Sequence, residues 1–209
     1  TLTGVSHKLL KMEDALQYLH IIPLFEQVER IMNSSVILQK YISLHEKLFG
    51  NKPEYIRPYC ARSDPALNSG LVPTVLSLKV ALSSYQDLEN ITGVKLYPML
   101  GTGSLPFRGS LRPDNIEQAI DEYRGVKTVT LQSAFRYDYS KVLVKKAVQI
   151  LKNELPHKKA EHMSPKIVEA IREVIPLFEN PYQDTIEEAS SLINSISNQV
   201  AKRRERMQH

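Results

Sequence analysis

The stretch VKLYPMLGTGSLPFRGSLRPDNIEQAIDEYRGVKTVTLQSAF, residues 94–135, holds one complete structural unit. Residues 94–100 are a short apolar run bounded by glycine, which predicts a buried strand. RPDNIEQAIDEYRG (112–125) follows as a short helix, with Asp114 or Asn115 as its cap and Gly125 as its stop. VKTVTLQSAF (126–135) predicts a second strand. Strand, helix, strand at this spacing is a βαβ unit, and such units build parallel sheets. The loop between the first strand and the helix is the unusual part. Of the 8 glycines in the chain, Gly101, Gly103 and Gly109 stand here with Arg108. Glycine lets a backbone approach an anion closely, and arginine offers a planar donor fork to phosphate or carboxylate. The loop therefore reads as an anion site at the end of a strand.

The same alternation extends upstream. HIIPLFE (20–26) and YIRPYCARSD (55–64) predict two further strands, the first of them buried. SSVILQKYISLHEKLFG (34–50) predicts an amphipathic helix with serine at its start, Ile37, Tyr41, Ile42, Leu44 and Leu48 as its apolar positions, and Gly50 at its end. VPTVLSLKVALSSYQDLENITG (72–93) is a helix opened near Pro73 and closed by Gly93. Beyond about residue 140 the strands cease. Stretches 141–156, 164–179 and 185–207 read as helices separated by proline-marked breaks, the last with an apolar stripe at Ile186, Ala189, Leu192, Ile193 and Ile196.

Composition narrows the class. The chain has 209 residues, 42% hydrophobic and 24% charged, ordinary values for a globular protein with a sizeable core. No apolar run approaches the roughly 20 residues that span a bilayer, and no signal peptide is visible, so a membrane role is not expected. A single cysteine, Cys60, excludes an internal disulfide framework and points to a reducing, cytoplasmic compartment. Within YIRPYC it reads as a buried structural thiol. The net charge of +4 is concentrated in LPHKKAEH and AKRRERMQH, which read as solvated helix ends rather than a nucleic-acid patch. Zinc-ligand spacing, a Walker-type loop and an RNA-binding aromatic signature are all missing. Opening on Thr1 and stopping at RRERMQH, the chain reads as an internal stretch of a longer protein.

Ligands of parallel α/β folds sit outside the carboxyl ends of the strands. Glu26 ends the first predicted strand and Asp64 the second; the Gly101–Arg108 loop ends the third, and Gln132 and Arg136 end the fourth. Two carboxylates beside an anion loop suggest a hard divalent cation, Mg2+ or Mn2+, bridging to a phosphate or carboxylate. Each residue also has a plainer reading. Glu26 suits the start of a helix, Asp64 before Pro65 suits a turn or cap, the glycines suit turns, and Arg108 suits the surface.

The order PLFE, ARSDPALNSG, GVKLYPMLGTGSLPFRGS and EYRGVKTVTLQSAFRYDY resembles the phosphoenolpyruvate carboxylase family. GTGSLPFRG, QSAFRYDY and the terminal RRERMQH look most like its short, archaeal-type branch, which also occurs in some bacteria. The family's polypeptide is more than twice as long. The resemblance implies that residues 1–140 are βα units of part of a (β/α)8 TIM-type barrel and that 141–209 are a helical segment packed on it. Weaker similarity to the long plant and bacterial branch implies metal binding by Glu26 and Asp64 and a catalytic role for Arg108. Gly101, Thr102, Gly103, Gln132, Arg136 and Arg62 are the implied substrate-binding set. The sequence departs from that branch twice. Its first loop arginine falls on Thr102, and the lysine after the metal aspartate falls on Leu67, with Arg62 as the nearby cation that would replace it.

The family's reaction joins phosphoenolpyruvate and bicarbonate through carboxyphosphate and pyruvate enolate, giving oxaloacetate and phosphate. The resemblance also implies a cytoplasmic homotetramer and an inactive stretch when isolated, since the family's further histidine and arginines lie elsewhere. Two alternatives stay open at this point. One is another Mg-dependent barrel lyase or aldolase acting on pyruvate or phosphoenolpyruvate. The other is a basic module contacting nucleic acid through its C-terminal helix.

Overall fold

A computed structural model describes residues 20–200; the basic tail 201–209 lies outside them. β1 (Leu24–Phe25) is followed by α1 (Val28–Met32) and α2 (Ser34–Phe49). β2 (Tyr55–Ile56) and β3 (Tyr59–Cys60) lead to α3 (Ser63–Ser69) and α4 (Leu71–Thr92). β4 (Lys95–Leu96) and β5 (Met99–Leu100) lead through a 3-10 turn at Pro106–Arg108 to α5 (Ile116–Glu122). β6 (Thr128–Val129), a π-turn at Ala134–Asp138, α6 (Lys141–Glu154) and α7 (Pro165–Ser197) follow.

β1, β3, β5 and β6 form one parallel sheet in that order, with Leu24 opposite Tyr59, Tyr59 opposite Met99 and Met99 opposite Thr128. Each strand therefore joins the edge left by the one before it, and the order never reverses as it does in a doubly wound sheet. The strands are shorter than the sequence predicts because Pro23, Pro58 and Pro98 form a row across the sheet. Proline has no N–H for the ladder. Its carbonyl still accepts, so Tyr59 N–H bonds Pro23 at 2.8 Å, Met99 N–H bonds Pro58 at 2.8 Å and Lys127 N–H bonds Pro98 at 2.8 Å. Ahead of that row β2 and β4 pair separately as a two-stranded parallel ladder. The four strands make an open sheet; a closed barrel is not among the described elements.

Five expectations are corrected. The run 20–26 is not a buried strand: only Phe25 is buried, while Ile21, Ile22 and Leu24 are about half exposed, because β1 has a neighbour on one side only. In α2 the buried face is Ser34, Leu38, Ile42 and His45, which leaves Leu44 and Leu48 exposed. Its opening serine does not cap; Ser34 Oγ donates back to Ile31 O at 2.6 Å and receives the Tyr85 hydroxyl at 2.8 Å. The fourth strand ends at Val129, well short of 135. The helices expected at 164–179 and 185–207 are continuous as far as Ser197, with Pro176 and Pro181 inside one rod. An interior proline costs about 3 kcal/mol. Here packing on both sides of the prolines offsets that cost. Ile171 and Ile175 join Val28, Met32 and Val80 in one apolar cluster, and beyond Pro181 the Tyr182 hydroxyl donates to Leu67 O at 2.9 Å.

The main core lies between sheet and helices, built on Leu38, Ile42, Ile56, Leu78, Tyr85, Leu100, Ile120 and Val126. Cys60 is part of it, 3.5 Å from the Tyr85 hydroxyl, and burial pushes its thiol up to about 11. It is the structural thiol the sequence predicts. Among the described residues no helix is long and apolar enough to cross a membrane.

Candidate functional site

The carboxyl ends of β1 and β3 open on one cleft of about 500 Å3. Glu26 stands one residue past β1, and Asp64 sits in the first turn of α3, just past β3. Both carboxylates line the cleft, together with Gln27, Arg30 and Asn68. Both residues are exposed, and neither joins an ion pair among the described residues. The contact nearest to Asp64 is the neighbouring Ser63 hydroxyl, which donates to it at 3.3 Å. Two carboxylates without an ion-pair partner and two amide side chains around one space supply the donor types a hard divalent cation takes, with waters or substrate oxygens in the remaining positions. Among the described residues no group of three His, Cys, Asp or Glu converges, so a thiolate or imidazole site of the zinc type is not formed by them.

The second half of the site is the loop after β5. Gly103 N–H donates to Arg108 O at 2.7 Å, Leu111 N–H to Gly103 O at 2.9 Å, and Ser110 N–H to Leu105 O at 3.0 Å, so the loop is a closed, self-bonded turn. Arg108 is half-buried and in no ion pair among the described residues. Its stem lies on Gly103, where a Cβ would meet Arg108 Cβ and Cδ at 3.2 Å and Gln132 Oε1 at 2.9 Å. The expectation for the glycines is thus refined. Gly103 makes room for Arg108 and Gln132, and Gly101 makes room for the Tyr59 ring, whose hydroxyl a Cβ would meet at 2.8 Å. Neither carries a positive φ.

Arg62 joins the two halves. It precedes α3 and is 4% exposed, and its Nη1 donates to Phe107 O in the loop at 3.4 Å. Its Nε is buried without a hydrogen-bond partner, and no carboxylate lies in ion-pair range among the described residues. Leaving a buried charge unpaired costs several kcal/mol, so this guanidinium suits a site that receives an anion. Tyr123 supports the same corner from just past α5, its hydroxyl donating to Gly109 O. Burial pushes the Tyr123 phenol up, and the Arg62 charge beside it works in the opposite direction.

The remaining expected residues divide. Gln132 is in place against the Gly103–Arg108 contact. Thr102 is fully buried and committed to Thr130: its N–H donates to Thr130 Oγ1 at 2.8 Å and its hydroxyl to Thr130 O at 2.8 Å. It clips β5 to β6 and presents no surface to a substrate. Arg136 is exposed on the π-turn, 5.2 Å over the Tyr137 ring, and nothing in the structure joins it to the other residues of the site. Arg30, Asn68 and Tyr123 were not singled out from the sequence. Arg30 and Asn68 stand four residues after Glu26 and Asp64, one helical turn on, a spacing that becomes informative only once helices are known to begin there.

The family model described as phosphoenolpyruvate carboxylase matches residues 2–209. Among curated relatives, the phosphoenolpyruvate carboxylase of Methanothermobacter thermautotrophicus is 38% identical over 191 residues, covering 91% of this chain and 38% of the relative. That of Metallosphaera sedula is 37% identical over 196 residues, covering 91% of this chain and 36% of the relative. A bacterial relative of the same name, from Leuconostoc mesenteroides, is 34% identical over 192 residues, covering 92% of this chain and 38% of its own. The chain thus spans well under half the length of these relatives.

Proposed function

The chain belongs to the phosphoenolpyruvate carboxylase family, and from that premise we propose that it forms part of an enzyme converting phosphoenolpyruvate and bicarbonate to oxaloacetate and phosphate. The observation that carries the reading is the shared cleft of Glu26 and Asp64, next to a buried arginine without a counter-ion. The in-order parallel sheet supports placing these βα units in the wall of a (β/α)8 barrel, with the helices from Lys141 to Ser197 as a segment against it.

In this reading a bicarbonate oxygen attacks the phosphorus of phosphoenolpyruvate, and the bond from phosphorus to the enol oxygen breaks. Carboxyphosphate and the enolate of pyruvate result. Carboxyphosphate separates into phosphate and CO2, and the enolate carbon then bonds CO2. Glu26 and Asp64 would hold the divalent ion, Mg2+ or Mn2+, with Gln27 and Asn68 completing the polar wall. When bound, that ion stabilises negative charge on substrate oxygens. Arg108 offers its fork to the moving phosphoryl group, where fixed positive charge acts without reorganisation. Arg62 adds a second positive charge from inside the wall. Thr102 and Tyr123 hold the loop in register, and Gln132 fixes the stem of Arg108. Phe25 and Ile37 supply the apolar part of the cleft wall. Arg136 belongs to the same expected substrate set, and its exposure would need to change on binding.

A cytoplasmic homotetramer completes the proposal. Its support is family membership, the lone buried thiol, and the exposed apolar positions Ile186, Leu192, Ile193 and Ile196 on α7. The test is oxaloacetate formation by the full-length enzyme that contains this chain, in phosphoenolpyruvate, Mg2+ and 18O-labelled bicarbonate. Carboxylation through carboxyphosphate puts label into the phosphate released. An aldolase or lyase of another type releases unlabelled phosphate or none, and that result overturns the proposal.

A further inference from the structure

A cleft of about 760 Å3 lies at the opposite, amino end of the strands and shares no lining residue with the Glu26–Asp64 cleft. Its cationic wall comes from residues that precede or begin the strands: Arg57 before β3, Lys95 in β4 and Lys127 before β6, with Lys159 from the segment after α6. Four cations thus face one carboxylate, Glu89. That carboxylate is already occupied, bonded to Lys95 Nζ at 2.7 Å and to Leu96 N–H at 3.3 Å. Arg57, Lys127 and Lys159 join no ion pair among the described residues. The contact of the Arg57 Nη2 is soft, 3.9 Å from Met99 Sδ. The Lys127 ammonium donates to Pro156 O at 2.6 Å and Lys158 O at 3.4 Å, which leaves one of its three N–H groups to spare.

Three uncompensated cations around one concave space create a positive potential that an anion relieves. The surroundings of Lys127 agree. Burial pushes its ammonium down and the Lys159 charge adds to that, against the opposing pull of Glu89. Tyr97, Pro98 and Pro156 give the same cleft an apolar flank, so the fitting ligand carries a carbon body as well as charge. We propose that this cleft is a second anion-binding site, separate from the carboxyl-end site, for a small organic molecule bearing two or more phosphate or carboxylate groups.

The test is equilibrium dialysis of the protein carrying Arg108→Gln, with inorganic pyrophosphate and citrate as separate probes. That background weakens anion binding at the carboxyl end and leaves the amino end intact. One probe should bind, and adding Arg57→Gln with Lys159→Gln should weaken it at least about tenfold, since hydrogen bonds to charged groups are of that strength. Neither side chain braces backbone, so the variant should keep its circular dichroism spectrum. In parallel, the bound probe should slow acylation of Lys127 by acetic anhydride, read by mass spectrometry. Protection by pyrophosphate alone assigns a phosphate ligand, and protection by citrate alone a carboxylate. Failure of both probes to bind the Arg108→Gln protein, or binding unchanged by the double substitution, overturns the site. Carboxylation is not measured, so this result stands apart from the outcome for the carboxyl-end reaction.

Discussion

Arg108 is seated by two neighbours rather than by a counter-ion. Gly103 lies under its stem, Gln132 beside it, and the bond from Gly103 N–H to its own carbonyl closes the turn at 2.7 Å. A fork held this way and left without a carboxylate is pre-organised for an incoming anion. Arg108→Lys keeps the charge and loses the planar fork, so in the full-length enzyme both it and Arg108→Ala should lower kcat by about a hundred- to a thousandfold with the fold retained. A folded Arg108→Ala protein with near-normal turnover would reduce the loop to a structural turn. Cys60 makes the contrasting case of a residue that chemistry does not reach. Its thiol is pushed from 9.0 up to about 11 by burial. The stabilisation from keeping it protonated is complete below pH 9 and is lost as pH rises toward 11, because the unfolded chain releases that proton first. Urea unfolding should show stability falling across this interval, and Cys60→Ala should flatten the fall. Equal pH dependence in both proteins would mean the thiol is not buried as described.

At the level of elements, α3 is the piece that decides where Asp64 points. It is short, so its position depends on what it touches. Tyr182 and Gln183 of α7 reach across to it, bonding Leu67 O at 2.9 Å and Asn68 O at 3.2 Å. The corner from α3 to α4 is Gly70, whose φ of +85° excludes most side chains and whose Cβ position lies 3.2 Å from the Tyr182 ring. Gly70→Ala should therefore cost about 1–3 kcal/mol in urea unfolding. It should also weaken metal binding more than a stability loss alone predicts, because Asp64 and Asn68 move with α3. A Gly70→Ala protein of native stability would remove α7 as a brace. Sequence pattern read the larger elements well. α2 and α4 end on the glycines expected to stop them, Gly50 and Gly93, both left-handed. It read faces poorly. Leu44 and Leu48 look like core on hydrophobicity, yet the buried turn positions are held by Ser34 and His45, polar residues bonded locally. Pro181 looks like a break, since sequence does not reveal the tertiary packing that carries a helix past it.

Across the whole molecule, one sheet separates two chemically different ends. Carboxylates, the Arg108 loop and Gln132 gather where the strands exit, and unpaired lysines and an arginine gather where they enter. The exit end was legible because the βα period fixes roughly where each strand ends, and the segment that follows is read off from there. The row Pro23, Pro58 and Pro98, which sets the sheet's register at the other end, was not. Each proline looks like local punctuation until the strands are side by side. The charge balance of the entry end depends likewise on Glu89 being taken by Lys95, a pairing six residues apart that only the fold selects. Glu26 and Asp64 are brought to one cleft by neighbouring strands, and their service as a single metal site is measured most directly by titrating Mn2+ into the protein and following free ion by electron paramagnetic resonance. One tight Mn2+ per chain is expected, weakened at least about 10- to 100-fold by Glu26→Gln and by Asp64→Asn alike. Tight binding that survives either substitution would contradict a shared site.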